Sequence, residues 1–421
     1  MTRWRSIRLK HLASEVIRNG VGEAGDINNP NWPRYVRTTD IAGPRSIRSD
    51  TFASLPPEVA CKAELHRGDL VMTAAGATIG KSLLYDSDKP ACYAGYLVRF
   101  RANDKADSRF VSYWTESTPY WTQIETYKVA STIENFSASK YRNLLLSVPP
   151  IAKQRSIADY LDKETNRIDA LISKKRQLID LLEARRFAMI SAVVKGKDGI
   201  AGSMRLGDLS VVPIRRVFRI VHGGTPTADP VNWGGDIAWA TPIDLAKCNG
   251  GKISSSQRSL TVSGLKSGSN SVPAGSLIVS SRAPIGYVVE TTCSMAFNQG
   301  CKGLVPTQDV DIRFFRYQIS VIGERLNSLG QGSTFLELST DALASSQITV
   351  PPLPIQQGLA DYLDKETNRI DATISKEYQI IKLFRERRQA LITAVVTGGM
   401  PVPGSAGTSS TATSMNITTK G

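Results

Sequence analysis

The stretch Ala158–Ala170 reads ADYLDKETNRIDA, and Ala360–Ala372 reads the same thirteen letters 202 positions later. Identity over that length does not arise by chance, so the chain contains a duplication, and a duplication fixes the architecture before any single element does. The match runs without a gap from Pro149-Pro150 to Gly196, against Pro351-Pro352 to Gly398. Between the copies the similarity is weak but ordered. Gly68-Asp69-Leu70-Val71 answers Gly275-Ser276-Leu277-Ile278, Ile79-Gly80 answers Ile285-Gly286, and Ser131-Thr132 answers Ser333-Thr334. Two diverged domains alternate with two near-identical segments.

The repeated segments read as long helices. Each follows a Pro-Pro pair, which marks a boundary because proline cannot lie inside a helix. From there to Gly196 or Gly398 the only further glycine is Gly358, in the first turn of the second copy. Apolar residues recur at heptad spacing: Leu161, Ile168, Leu182 and Met189 beside Ile172, Ile179 and Val193, then Leu363, Ile370, Phe384 and Leu391 beside Ile374, Ile381 and Val395. That is a seam for a partner helix. A helix of about 40 residues is roughly 60 Å long. Connectivity sends the second helix back towards the first domain, so the seams predict an antiparallel coiled coil with a pseudo-twofold internal repeat. Lys175 and Glu377 interrupt the two seams at matching places and are expected to set register.

Outside the helices, short β-rich runs sit between Gly, Pro, Asn and Ser clusters: Asp69–Met72, Tyr96–Phe100, Leu277–Ser280 and Tyr287–Val289. One helical stretch comes late in each domain, around Phe110–Ile124 and Arg313–Leu326. The fold class is α/β (α+β). A first domain covers 1–150, a helix 151–197, a second domain 198–352, a helix 353–399, and a Ser/Thr/Gly tail 400–421 that is expected to be disordered.

Composition narrows the function. The chain has 421 residues, 52 Lys and Arg, 38 Asp and Glu, and a net charge of +14. The excess is spread: +5 over 1–150, +3 over 155–195, +2 over 198–354 and +1 over 357–397. A basic chain invites nucleic acid without proving it. The start, Met1-Thr2-Arg3-Trp4, has no apolar run behind it, so no secretory signal is expected. No run approaches a membrane span. The five cysteines have irregular spacing and no CxxC pair, against a zinc ribbon or a disulfide framework. The expected location is the cytoplasm.

Catalytic chemistry is missing. Ala75–Ser82 approximates a phosphate loop, but the first required glycine is Ala75 and Gly76 comes one place late. The matching stretch of the second domain, Arg282–Tyr287, keeps Ile-Gly and has no Lys. It reads as strand–turn–strand. His11, His66 and His222 lack metal-binding spacing, and Asp229-Pro230 does not complete a methyltransferase motif. No metal or cofactor is expected in this chain.

What remains is recognition. Two related basic domains joined by a rigid spacer suit a split DNA target, with phosphate contacts for affinity and base contacts for specificity. Because the domains have diverged, the half-sites should differ. Candidate DNA contacts in the first domain are Arg34, Arg37, Arg45, Arg48, Thr78, Lys81 and Ser131. In the second they are Lys252, Arg258, Lys266, Ser280, Ser281, Arg282, Gln331, Ser333 and Thr334. Trp32 and Trp233 read as structural anchors. The polar letters of the repeat lie mostly off the seam. Asp162, Lys163, Glu164, Asn166 and Arg167, with Asp364, Lys365, Glu366, Asn368 and Arg369, are expected to present one surface twice, to two copies of one partner.

This order of parts resembles the specificity subunit of type I restriction–modification systems. The carriers are Pro149-Pro150 with Gln154 and Ala158–Ala170, their repeat at Pro351-Pro352 with Gln356 and Ala360–Ala372, and the Gly80-Lys81 and Ser333-Thr334-Phe335 turns. The resemblance covers residues 1 to about 399. It implies two target recognition domains held apart by the helices, and no catalytic activity in this chain. It implies two methyltransferase subunits that bind S-adenosylmethionine and methylate adenine N6. Motor–endonuclease subunits, with ATP and magnesium, would cleave unmodified double-stranded DNA. The family often has Glu-Gln after the proline pair, whereas this chain has Lys153-Gln154 and Ile355-Gln356. Other readings are the recognition subunit of a related restriction system with a different catalytic partner, a protein-only scaffold, and a nucleotide enzyme built on Gly76–Ser82.

Overall fold

In a computed structural model that describes residues 4–25, 27–129, 135–196, 210–330 and 336–402, each Pro-Pro pair opens an unbroken helix. Pro150 and Pro352 offer their carbonyls to the first turns, and the helices span Ile151–Val194 and Leu353–Val396, 44 residues each. Both stop at a glycine with positive φ, Gly196 at 65° and Gly398 at 75°, a conformation that ends helices because other residues resist it. No described helix is long and apolar enough to cross a membrane.

The chain divides into two compact units, residues 1–175 with 378–421, and residues 176–377. Each unit therefore owns one diverged domain, the first part of one long helix and the last part of the other. In the first unit Asp169 pairs with Arg388, while Ile157 and Leu161 share a core with Ile392 and Val395. One segment descends as the other climbs, so they run antiparallel. The second unit repeats the arrangement, with Arg186 on Asp371, and Ile190 and Val193 in a core with Leu359 and Leu363.

Both domains are built on the same mixed scaffold. The central sheet of the first orders its strands Arg18–Asn19, Leu97–Phe100, Leu70–Thr73, Ser82–Leu84. The second orders Phe218–His222, Cys301–Pro306, Leu277–Ser280, Val288–Thr291, and adds Lys252–Ile253. The middle strands are buried on both faces, which is why they read as continuous apolar runs rather than alternating ones. A ribbon of two antiparallel strands, Arg5–Arg8 with Leu145–Val148 or Ser210–Pro213 with Gln347–Val350, leads directly into each long helix.

The late helical stretch differs between the domains. In the second it runs without interruption over Ile312–Ser328. In the first it is two helices, Ser108–Glu116 and Thr118–Val129. The break falls at Ser117, extended at φ −80° and ψ 155°; Pro119 has no N–H with which to continue the first helix and sits in the first turn of the second, where none is needed.

Candidate nucleic-acid interface

One end of the central sheet carries the irregular polar turns in both domains. In the first, Leu70–Thr73 and Ser82–Leu84 pair antiparallel, and the Ala75–Ser82 stretch is the turn between them. No helix follows the turn, so it lacks the helix N-terminus that a phosphate loop depends on. Gly80 has φ +89°, and a Cβ there would lie 2.8 Å from the Trp121 ring. Tyr120 and Tyr141 donate their buried hydroxyls to the carbonyls of Gly80 and Thr73, fixing both ends of the turn. Lys81 is exposed and Thr78 half-exposed.

The corresponding turn of the second domain runs from Ser280 to Tyr287. Ser280 Oγ donates to the Pro284 carbonyl and accepts from the Tyr287 N–H. Gly286, at φ +97°, packs its backbone against Gly323, where a Cβ would come within 2.8 Å. Arg282 is exposed and pairs with Glu337 at 3.2 Å. Ser280 and Ser281 are fully buried, so the expectation that they face a duplex is corrected. Ser280 closes its own turn, and the Ser281 backbone is tied to Gly300 and Leu338. Ser131, Gln331, Ser333 and Thr334 lie outside the described residues.

The remaining candidate cations are placed elsewhere. Arg37 is spent inside the fold, on Asp40 and on the carbonyls of Gly25 and Thr51. Arg34 donates to the Arg48 carbonyl, and Arg48 pairs with Asp50. Lys252 lies 3.6 Å from Glu290. Arg258 stacks 3.5 Å above the Trp233 ring, and Trp233 meets Trp239 edge to face, an anchoring role for that tryptophan. Lys266 is exposed on the short helix Val262–Gly268.

The repeat itself is partly used within each unit. Gln154, buried, accepts the Asp107 N–H and donates to the Lys105 and Pro149 carbonyls. Gln356 does the same for Asp311 and Pro351. Asp107 and Asp311 then cap the helices that follow them. Arg109 reaches Asp159 and Asp162, and Arg313 reaches Asp361 and Asp364. Tyr113 bonds Asp162 and Thr165, and Tyr317 bonds Asp364 and Thr367. A second guanidinium completes each set. Arg45 pairs with Asp162 and lies 4.5 Å over Tyr113, while Arg316 lies 3.1 Å from Asp364 and 4.9 Å over Tyr317. Burial alone pushes the Asp162 carboxyl up, but the Tyr113 hydroxyl and the charges of Arg45 and Arg109 outweigh it and hold the group below its ordinary value.

These contacts correct the expectation that Asp162 and Asp364 belong to a surface presented to a partner, because both face their own domains. Lys163, Asn166 and Arg167 are exposed, as are Lys365, Asn368 and Arg369, while Glu164 and Glu366 are half-exposed. Sequence reasoning missed Arg109, Tyr113, Arg313, Arg316 and Tyr317. A signal was present: Asp-x-Arg-Phe-x-x-Tyr occurs at Asp107–Tyr113 and again at Asp311–Tyr317.

A pair of α/β domains, each bolted to a long helix through one repeated aspartate and carrying a polar turn at one end of its sheet, defines a class of tandem two-domain proteins. Residues 22–181 and 207–382 match the family described as type I restriction modification DNA specificity domain, and the chain belongs to that family. It is 24% identical over 412 residues, 93% of each chain, to a putative type I restriction enzyme MjaX specificity subunit of Methanocaldococcus jannaschii. The MjaIX specificity subunit of the same organism is 34% identical over 160 residues, a match spanning 37% of each chain. A chain from a study of complex assembly and conformational transition in a type I R-M system shares the fold at TM-score 0.76, with 16% identity, over 95% of this chain and 99% of that one. The HsdS subunit from Thermoanaerobacter tengcongensis aligns at TM-score 0.53 and 17% identity, over 95% and 98%.

Proposed function

We propose that this chain reads an asymmetric, bipartite double-stranded DNA target for a type I restriction–modification complex, one half-site per domain. It directs adenine-N6 methylation and ATP-dependent restriction by partner subunits and carries no catalytic residues of its own. S-adenosylmethionine, ATP and magnesium belong to those partners. The observation that carries this reading is the placement of two unlike polar turns, Ala75–Ser82 and Ser280–Tyr287, at the same end of two like sheets. A conserved scaffold with divergent turns is what reading two different half-sites requires.

Sequencing of methylated DNA from cells carrying the intact operon tests it. A split motif with adenine methylated in both halves is expected. No methylation dependent on this chain, or an unsplit motif, overturns the proposal.

The exposed trio Lys163, Asn166 and Arg167 recurs as Lys365, Asn368 and Arg369 with the same pattern of exposure. This supports two copies of one methyltransferase subunit, one per repeat, with motor–endonuclease subunits joining the assembly. Light scattering of the methyltransferase complex is expected to give two partner subunits per chain, and a 1:1 complex rules out the paired surface.

A further inference from the structure

Lys302 stands on the sheet strand Cys301–Pro306, opposite Val279 on one side and His222 on the other. Side chains alternate between faces along a strand, so Lys302 shares the face of Val279 and Leu304, both in the apolar core of the second unit. It is only 8% exposed. Among the described residues it makes no ion pair. Its Nζ lies 3.5 Å from His222 Nδ1, and Thr340 Oγ1 lies 3.4 Å from the same nitrogen. An ammonium can only donate, so Nδ1 is the acceptor and the ring proton sits on Nε2. The result is a cluster of spare donors, the remaining ammonium N–H groups and the imidazole Nε2–H, while the Thr340 hydroxyl donates to Nδ1 and holds the ring. A cation with its stem in a core and no carboxylate to offset it is costly unless an anion completes it.

The scaffold does not require this lysine. The first domain builds the same strand pairings with Val98 opposite Met72 and Asn19. Lys302 also lies at the recognition end of its sheet. The adjacent Cys301 pairs with Ser280, where the polar turn begins, and Thr340 follows Glu337, the partner of Arg282, by three positions.

We infer that Lys302 and His222, whose ring Thr340 holds in place, bind a backbone phosphate of the DNA duplex and so fix the register of the second domain on its half-site. This rests on the DNA-reading function proposed above. The first domain, with valine and asparagine at these positions, has no counterpart to this grip.

The test uses the full chain and a random-sequence duplex of about 40 base pairs, since phosphate contacts do not depend on sequence. Fluorescence anisotropy is followed across potassium chloride concentrations. Lys302→Met is expected to lower affinity roughly fivefold to tenfold and to reduce the log–log salt slope by about 0.9, the contribution of one phosphate. His222→Ala and Thr340→Val are expected to weaken binding about threefold each, and they carry the test should Lys302→Met not fold. Unchanged affinity and slope in folded variants, beside normal binding by the unaltered chain, overturn this inference and leave the DNA-reading function standing. Failure of the unaltered chain to bind duplex in a salt-dependent way overturns that function instead. If inorganic phosphate stabilises the unaltered chain but not Lys302→Met, while duplex binding is equal in both, the site holds free phosphate and the duplex assignment falls.

Discussion

In both units an aspartate on a long helix accepts a tyrosine hydroxyl and two guanidinium groups, yet the second guanidinium comes from unrelated places. Arg45, which completes the set around Asp162, lies in a turn between two short strands, far from the helix in sequence and a third exposed. Arg316, which completes the set around Asp364, belongs to the helix that already supplies Arg313 and Tyr317, and its side chain is 6% exposed. Arg316 also binds Glu290 at 2.8 Å, a buried pair that the first domain does not have at Arg45. The helix side of the joint is fixed by the repeat, and the domain side has reached the same electrostatic end by two routes. Preservation of the helix letters thus follows from a local demand for hydrogen-bond acceptors as well as from any shared partner.

Substitution at the unlike members should expose the difference most. Arg316→Met leaves the buried Glu290 with only Lys252 at 3.6 Å and takes one of two guanidinium groups from Asp364, and is expected to cost the second unit about 3 kcal/mol. Arg45→Met, at a more hydrated site, should cost the first about 1 kcal/mol. Hydrogen exchange resolved by peptide reads each unit separately, which matters because a chain with two units does not melt in one step. Equal costs would remove the distinction.

The turn glycines offer a second contrast. Gly286→Ala forces a Cβ against the Gly323 backbone at positive φ and should cost about 2–3 kcal/mol, whereas Gly80→Ala meets a Trp121 ring that can tilt and should cost about 1–2 kcal/mol. The same exchange measurement ranks them.

Asp162→Asn is expected to destabilise the first unit by about 2 kcal/mol near pH 7. Because the folded carboxyl titrates below its ordinary value of 3.8, its contribution is complete above that value and is lost as pH falls through the lowered one. The gap between the variant and the unaltered chain should therefore close only below 3.8 in a pH series of denaturant melts. A gap that closes at higher pH would mean that the arginines do not hold the charge. Smallest and most alike should be Gln154→Ala and Gln356→Ala. Each removes the acceptor for one backbone N–H, at about 1–1.5 kcal/mol apiece.

Much of this fold was legible in the residues. The proline pairs, the terminal glycines and the heptad rows placed both long helices, because backbone chemistry and periodicity act locally. The buried middle strands showed as apolar runs for the same reason. The joints were half legible: the repeated Asp-x-Arg-Phe-x-x-Tyr marks the helix that supplies them, but Arg45 and Asp162 lie 117 positions apart and nothing in either neighbourhood names the other. The candidate interface was legible by type but not by member. Ser280 looked like a surface hydroxyl until the turn folded over it, and Lys302 was hidden in an apolar strand whose pairing with His222 only the sheet reveals.

The division of the long helices also bears on how the chain is made. The second unit, residues 176–377, is contiguous, whereas the first closes only with the helix segment that begins at residue 378. A ribosome that has just released Glu377 has delivered every residue of the later unit, but not Arg388, Ile392 and Val395 of the earlier one. Domains commonly finish in the order of their synthesis. Here the unit begun first is completed last, and until then the apolar side of its helix waits uncovered in the nascent chain.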